Sequence, residues 1–553
     1  MQNRSKQFWP EGLPPALNIP ESGFSECFSH SARRDPGKTF INFYGSIVSW
    51  AQADRETDII AGFLQSCCGL VQGDRVALYV QNSPQFVLAF HGALRAGGVV
   101  VPVNPMNVTD EVEHIIRDSG ARIAFVADDL VDRLDDSVLS SIDHLITVTY
   151  GDYLIESPSV PVPEALLAPQ RSHIPTDATR WSSVLEAAIP MTPLQIKSDD
   201  PATIAYTSGT TGVPKGCMNT HAAMTITAMG GALWEGLDEN AVMLGVAPLC
   251  HMAGLQLTMN RCVYAGATLV LMHRWDPLAA ADLIERHRVT HWNGVPLLIS
   301  DLLRHLNENR NQLSSIRMFS GGGAAMPEAV AQQLKMRFGA DFVEGYGMTE
   351  TMCQTHLNPP ARAKMQCLGI PTFNIEAVVA DPETLAILQP DQVGEILVRG
   401  PQVFRGYWNN PDATRAAFVE IEGQSWFRTG DLGRIDAEGY FFFVDRLKRM
   451  INAYGYKVWP AEVEAKMFEH SSIRECCIIG SPDTRRGETV KAVVVLKDGV
   501  AASDETSSDI LNWAKSEMAA YKVPRKIEFV AELPRSPTGK VDWRQLQRRE
   551  IAS

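Results

Sequence analysis

At 553 residues the chain exceeds what one hydrophobic core holds, so several domains are expected. Its 45% apolar and 21% charged content is that of a globular enzyme. A formal charge of −14 excludes a broad nucleic-acid face, which needs an excess of basic residues, but leaves room for local basic patches that receive an anionic cofactor.

In chain order, Met1–Pro10 lacks the apolar centre of a secretory signal, and no apolar run is long enough to span a bilayer. From 1 to about 195, helical and strand patterns alternate. Thr57–Leu64 is amphipathic, Arg75–Val80 reads as a buried strand, Ser83–Arg95 as a helix, Gly97–Val103 as an apolar strand, Val112–Ser119 as a helix and Ala121–Val126 as a strand. Such alternation predicts a parallel sheet with helices on its faces. Between Tyr150 and Asp200 the chain turns rich in Pro, Ser and Thr, the composition of surface loop with a short helix. Ala202–Tyr206 is expected to open a second α/β unit, with a helix at His221–Leu233 and strands at Val242–Val246, Thr268–Leu271, His291–Val295 and Ile316–Ser320. From about Gly369 to Val444, short runs broken by Gly, Pro and Asp predict a small antiparallel sheet or barrel. After Asp445 a compact segment of about a hundred residues carries two helices, two strands and a lysine-bearing tail. Ten cysteines show no C-x-x-C spacing and read as reduced thiols of a cytoplasmic protein.

The chemistry concentrates in Tyr206-Thr207-Ser208-Gly209-Thr210-Thr211-Gly212-Val213-Pro214-Lys215-Gly216. Glycines let backbone approach a ligand closely, consecutive N–H groups make an anion nest, and hydroxyls and an ammonium add donors. The P-loop pattern requires Ser or Thr after its lysine, whereas Gly216 follows Lys215. The string instead resembles the phosphate-loop signature of the AMP-forming adenylating enzymes: acyl-CoA synthetases, firefly-type luciferases and peptide-synthetase adenylation domains. A second motif, Glu344-Gly345-Tyr346-Gly347-Met348-Thr349-Glu350, matches the family's second core signature. Three more match along the chain: Trp426-Phe427-Arg428-Thr429-Gly430-Asp431, Asp445-Arg446-Leu447-Lys448-Arg449-Met450-Ile451, and Pro534-Arg535-Ser536-Pro537-Thr538-Gly539-Lys540.

The resemblance implies roles. Thr207–Lys215 cradles the triphosphate of ATP, Tyr346 packs on adenine between Gly345 and Gly347, and Thr349 contacts the α-phosphate. Glu350 binds Mg²⁺ with Thr207 as the second oxygen, which suits a hard cation already held by phosphates. The turn Ser320–Pro327, with Gly321, Gly322, Gly323 and Ala324, lines the adenine and acyl sites; Asp431 and Arg446 hold the ribose. Lys540 reaches the carboxylate and α-phosphate during adenylation, and Tyr454–Lys457, with Gly455 and Tyr456, flanks the CoA pantetheine arm in the second step. Lys448 is the domain hinge; relatives often carry an acid where Arg449 stands, so the hinge is expected to be unusually basic. In Pro248-Leu249-Cys250-His251, His251 gates the acyl and thiol channels. A Cys250/His251 nucleophilic dyad is disfavoured because adjacent strand residues face opposite ways. His221 is expected to be structural.

The implied fold is α/β: a large N-terminal domain (1–444) of two α/β subdomains, about 1–195 and 196–365, with a small β-barrel at 366–444, and a small mobile α+β domain at 445–553. The implied reaction is that of an ATP-dependent acid–CoA ligase with Mg²⁺ and coenzyme A. A carboxylate attacks ATP to give an acyl-adenylate and pyrophosphate; the C-terminal domain rotates; CoA displaces AMP. No carrier domain follows Lys540, favouring a stand-alone ligase. The candidate acyl pocket (Met252, Ala253, Gly254, Leu255, Gln256, Gly321–Ala324 and Met348) has no base or acid to meet a second charge, so a medium- or long-chain fatty acid is expected, with a cinnamate- or benzoate-type acid as the alternative. A carrier protein or oxygen as acceptor, and a non-catalytic nucleotide-binding scaffold, are the remaining alternatives; a homodimer is left open.

Overall fold

The computed structural model describes residues 5–158, 160–167, 175, 177–207, 213–306, 312–453, 456–483, 487–535 and 541–552. It divides into two compact units. One comprises 1–377, 398–427 and 438–440; the other comprises 378–397, 428–437 and 441–553.

The larger unit is built on two sheets. The first has seven strands in the spatial order Thr179–Arg180, His144–Val148, Ile123–Ala127, Arg75–Tyr79, Val99–Pro102, Pro201–Thr207, Lys215–Thr220. All are parallel except the last, which returns antiparallel to its neighbour. The strand Val99–Pro102 is buried at every position, as a central strand covered on both faces requires. The helix Pro84–Arg95 starts where Ser83 accepts from the Phe86 N–H with proline at the first turn, and is buried all round. The second sheet has nine strands in the order Ile370–Pro371, Cys353–Leu357, Phe342–Met348, Met318–Gly322, His291–Asn293, Val242–Gly245, Thr268–Leu271, Thr39–Phe43, Ser46–Ser49.

The alternating pattern is thus realised, with one correction. Ala202–Tyr206 does not open a second α/β unit. The strand Pro201–Thr207 pairs with Val99–Pro102 and completes the first sheet, whereas Thr39–Phe43, from near the N-terminus, joins the second beside Thr268–Leu271. Hydrophobic alternation marks a strand but does not name its neighbour. After Ile370–Pro371, which edges the second sheet, the short strands from Glu376 to Arg446 form a five-stranded half-barrel sheet.

In the smaller unit, Ile473–Asp483 and Gly487–Leu496 form a long antiparallel pair flanked by Ile451–Ala453, Tyr456–Val458 and Lys526–Phe529. Period-two alternation splits its core in two. Cys476, Ile478, Ala492 and Val494 pack with Val463 and Ile510, while Cys477, Ile479, Val493 and Val495 pack with Leu533 and Leu546. The neighbouring cysteines therefore serve opposite faces. Burial pushes the Cys477 thiol up to about 12, and none of the ten cysteines forms a disulfide.

Candidate active site

In the larger unit the site begins at the mouth of a β-hairpin. Thr207 ends one strand, Lys215 begins the next, and the two stand directly opposite. Ser208–Gly212 lie outside the described residues. Gly216 explains the departure from the P-loop. A β-carbon there would lie 2.6 Å from Ile204 Cγ2 and 3.1 Å from the Tyr206 ring, so the position takes no side chain without displacement. Tyr206 donates to Asp118 at 2.6 Å; burial, then Asp118, raises its phenol above the usual range.

The segment Phe404–Asn409 runs along the hairpin's outer strand. The Met218 N–H donates to Gly406 O (3.0 Å), Arg405 N–H to Met218 O (2.9 Å) and Trp408 N–H to Gly216 O (2.7 Å). Trp408 Nε1 adds a bond to Asp118 O at 2.9 Å. This segment carries Tyr407, whose hydroxyl donates to Glu350 Oε1 at 2.9 Å and whose ring lies 4.0 Å below Lys215 Nζ. The Phe404 N–H donates to Glu350 O at 2.8 Å. Lys215 and Glu350, 135 residues apart by their numbers, are thus both gathered on one tyrosine.

Thr349 and Glu350 sit on a 3-10 turn that closes the strand Phe342–Met348, and Asn219 Nδ2 reaches Thr349 O from the hairpin. Tyr346 faces His356 across the strand pair with ring centroids 5.6 Å apart. Burial drives His356 down to about 3, so its ring is neutral. Gly322 pairs with Gly345 and Gly321 with Glu344. β-carbons on Gly321 and Gly322 would meet Gly294 O at 2.1 Å and Gly345 O at 2.3 Å. Backbone packing alone therefore accounts for these two glycines. Gly323 and Ala324 are exposed, and Met348 is half-buried.

His251 opens the short helix Met252–Gly254, with Met252 and Leu255 buried just after it. Its Nε2 lies 3.2 Å from Asn104 Nδ2. The Asn104 oxygen already accepts from the Met106 N–H, so the amide turns its N–H toward Nε2 and the neutral ring carries its proton on Nδ1. Buried Asn82 holds the preceding loop: its Nδ2 donates to Val246 O, Ala247 O and Met272 O, and its oxygen accepts from the Leu249 N–H. Cys250 lies in a turn, not a strand, so the ground for setting aside the dyad changes. Burial, which pushes its thiol up to about 12, is the better reason. His221 is structural: it accepts from the Phe24 N–H and burial lowers it to about 4.

In the smaller unit, Asp431 is buried and stands opposite Arg446, with Nε 3.2 Å from Oδ1. The bend before it is held by the Gly430 N–H on Glu395 and the Thr429 hydroxyl on Ile396 O. Lys448 is exposed on the turn Leu447–Arg449. Arg449 does not make this turn more basic, as expected from sequence. Its side chain, 14% exposed, pairs with Glu464 and lies 3.8 Å from Asp445; burial lowers its pKa, but Glu464 and Asp445 together raise it above the usual value. Tyr456 stacks on Tyr521; Gly455 and Lys540 lie outside the described residues. Arg535 and Val541, the described residues on either side of Lys540, form an antiparallel bridge. Asn82, Asn104 and Tyr407 were not singled out from sequence; only Tyr407 had a local signal, a glycine followed by two aromatics.

Residues 28–408 match the family model of the AMP-binding enzyme, and 462–540 that of the AMP-binding enzyme C-terminal domain. The chain belongs to the AMP-binding enzyme family. This AMP-binding enzyme is 36% identical to a long-chain-fatty-acid–CoA ligase of Bacillus subtilis, over 98% of the chain and 97% of the relative. It is 33% identical to a feruloyl-CoA synthase of Amycolatopsis, over 94% and 97%. The ATP-bound structure of MatB from Rhodopseudomonas palustris superimposes with a TM-score of 0.82 at 27% identity, covering 95% and 98%. The enzyme is an AMP-forming acid–thiol ligase that uses ATP, Mg²⁺ and coenzyme A with a carboxylic acid. Among the described residues no helix is long and apolar enough to cross a membrane.

Proposed function

We infer that the acid is a medium- or long-chain fatty acid, activated as its adenylate and released as its acyl-CoA. The observation that carries this is the 36% identity, spanning 98% of the chain, to a long-chain-fatty-acid–CoA ligase. Buried Met252 and Leu255, beside His251, are consistent with an apolar acyl channel.

The charge problem of the first step is an anionic carboxylate approaching an anionic phosphorus. Thr207 to Lys215 wraps the triphosphate, and Thr349 binds the α-phosphate. Glu350, with Thr207, holds the cation that accompanies ATP. Support comes from Thr207 and Lys215 facing each other across the hairpin mouth and from the carboxylate of Glu350 being held by a hydroxyl donor. When bound, Mg²⁺ would neutralise charge on the phosphates. Tyr346, Gly345, Gly347, Gly323 and Ala324 receive adenine. Asp431 accepts from the ribose hydroxyls beside Arg446, and Lys540 meets the charge that develops during adenylation. For the second step the smaller domain, 445–553, turns at Lys448; Gly455 and Tyr456 then flank the CoA arm, and His251 governs access to the thiol. The enzyme acts in the cytoplasm.

One observation favours the second acid class. Gln256, Thr258 and Asn260 lie on a π-helical stretch, Leu255–Asn260, and are completely buried, with side-chain polar atoms that have no hydrogen-bond partner among the described residues. Buried polar groups are normally satisfied, and an aryl acid with ring hydroxyl or methoxy oxygens would supply partners. The test is AMP and pyrophosphate release on a panel from acetate through long fatty acids to hydroxylated cinnamates, with and without CoA. CoA-dependent AMP formation peaking at C8–C18 acids carries the fatty-acid proposal; a peak at cinnamates replaces it with the aryl one.

A further inference from the structure

Tyr407 belongs to none of the motifs that marked the site, yet it touches the two charged groups on which the phosphate chemistry depends. Its hydroxyl donates to Glu350 Oε1 at 2.9 Å, and its ring face receives Lys215 Nζ at 4.0 Å from the centroid. Its backbone is fixed. The Tyr407 N–H donates to Thr414 Oγ1 at 2.9 Å, and the residues on either side are bonded to the hairpin strand through Met218 and Gly216. Its ring packs edge-on against Phe404, with centroids 4.9 Å apart. A tyrosine held on so many sides acts as a fixed strut.

An ammonium and a carboxylate drawn to one spot would ordinarily collapse into a direct pair. Each would then be spent on the other, and neither would be presented to the triphosphate or its cation. The ring interposes a weaker, face-on partner for the lysine, and the hydroxyl occupies one carboxylate oxygen with a neutral donor.

We propose that Tyr407 is a positioning residue that keeps Lys215 and Glu350 apart and oriented, so that MgATP meets a preformed lysine and a preformed carboxylate. This rests on the reading of Glu350 as the residue facing the cation. A tyrosine that acts through Glu350 should affect the response to Mg²⁺ and leave the acid and CoA untouched.

The test is a double-mutant cycle of Tyr407→Phe and Glu350→Gln. It is read by nucleotide binding to the full-length enzyme by calorimetry, with ATP in EDTA and with ATP in Mg²⁺, and by the Mg²⁺ dependence of ATP–pyrophosphate exchange. Phenylalanine keeps the ring under Lys215 and against Phe404, so Y407F reports the hydroxyl alone. Y407F should bind Mg²⁺-free ATP as the parent does and need roughly ten- to a hundredfold more Mg²⁺ for half-maximal exchange, the loss of a hydrogen bond to a charged group. KM for the acid and for CoA should hold. In the E350Q background Y407F should add nothing. Tyr407→Leu, which also removes the ring, should in addition weaken Mg²⁺-free ATP binding.

Additive effects of Y407F and E350Q, or an unchanged Mg²⁺ response in Y407F, would overturn the proposal. So would a Y407F protein that loses Mg²⁺-free binding, acid affinity and thermal midpoint together, since that is a purely structural role. An E350Q enzyme with a normal Mg²⁺ response would instead sink the underlying assignment of Glu350.

Discussion

At the scale of single residues, Glu344 shows how burial sets behaviour. Removal from water pushes its carboxyl from 4.5 up to about 7, with the Gln366 and Met326 N–H groups only partly opposing. The unfolded chain gives up this proton near pH 4.5 and the folded protein near pH 7. Stability therefore falls as pH rises through that window, by about 3 kcal/mol in all, and is flat above it. Glu344→Gln keeps the acceptor for Gln366. It should match the parent in melting temperature at pH 4.5 and exceed it at pH 8; equal melting at both would show that the shift is absent. Asn104 makes a second residue-scale prediction. Asn104→Ala frees the His251 ring to change tautomer and should slow the CoA-dependent step about tenfold while ATP–pyrophosphate exchange holds. Stopped-flow measurement of the two half-reactions separates them. Neither Asn104 nor Asn82 was legible in the sequence. An isolated asparagine has no pattern, and what singles out each one is a partner 147 to 190 residues away. The motif residues were legible because glycine, hydroxyl and charge crowd into a few consecutive positions.

At the scale of elements, strands and helices could be read almost throughout, since periodicity is local. Their neighbours could not. The hairpin Pro201–Thr220 carries the phosphate loop and completes the first sheet, although its sequence looks like the start of something new. The helix Pro460–Met467 is the other instructive case. Asp445 accepts from the Ala461 N–H at its first turn, and Glu464 on the helix accepts from the Ile478 N–H while pairing with Arg449. Sequence placed Arg449 on a basic hinge; the fold makes it the counter-charge of buried Asp445 and half-buried Glu464. Arg449→Ala should destabilise the smaller unit by about 3–5 kcal/mol, the cost of leaving a buried charge unpaired. Arg449→Glu should do more harm, setting a third acid beside Asp445 and Glu464. Hydrogen exchange of the strands Ile473–Asp483 and Gly487–Leu496 reads this directly. Protection equal to the parent would show that the pair is worth little.

At the scale of the whole molecule, four buried histidines dominate the response to acid. Burial lowers His91 and His356 to about 3 and His221 and His273 to about 4. Unfolding exposes all four to water, where each takes a proton below about pH 6.5. Stability should therefore be unaffected by them above that pH and fall as pH drops from 6.5 toward 4. Calorimetry in buffers of different ionisation enthalpy should find up to about four protons taken up on unfolding at pH 5, less the one that Glu344 releases. A melting temperature constant from pH 7 to 5 would refute it. The exchange of strands between the two sheets also bears on how the chain is made. Thr39 and Thr268, joined by a hydrogen bond in the finished sheet, are 229 residues apart. At about 5–20 residues per second, the apolar strand Thr39–Phe43 leaves the ribosome roughly 10–50 s before its parallel partner, Thr268–Leu271, exists, with only its antiparallel neighbour Ser46–Ser49 at hand. Phe40, Ile41 and Phe43, all fully buried in the end, lack the cover of that strand for the whole interval. Pauses in translation between residues 50 and 270 should therefore raise aggregation more than pauses placed later.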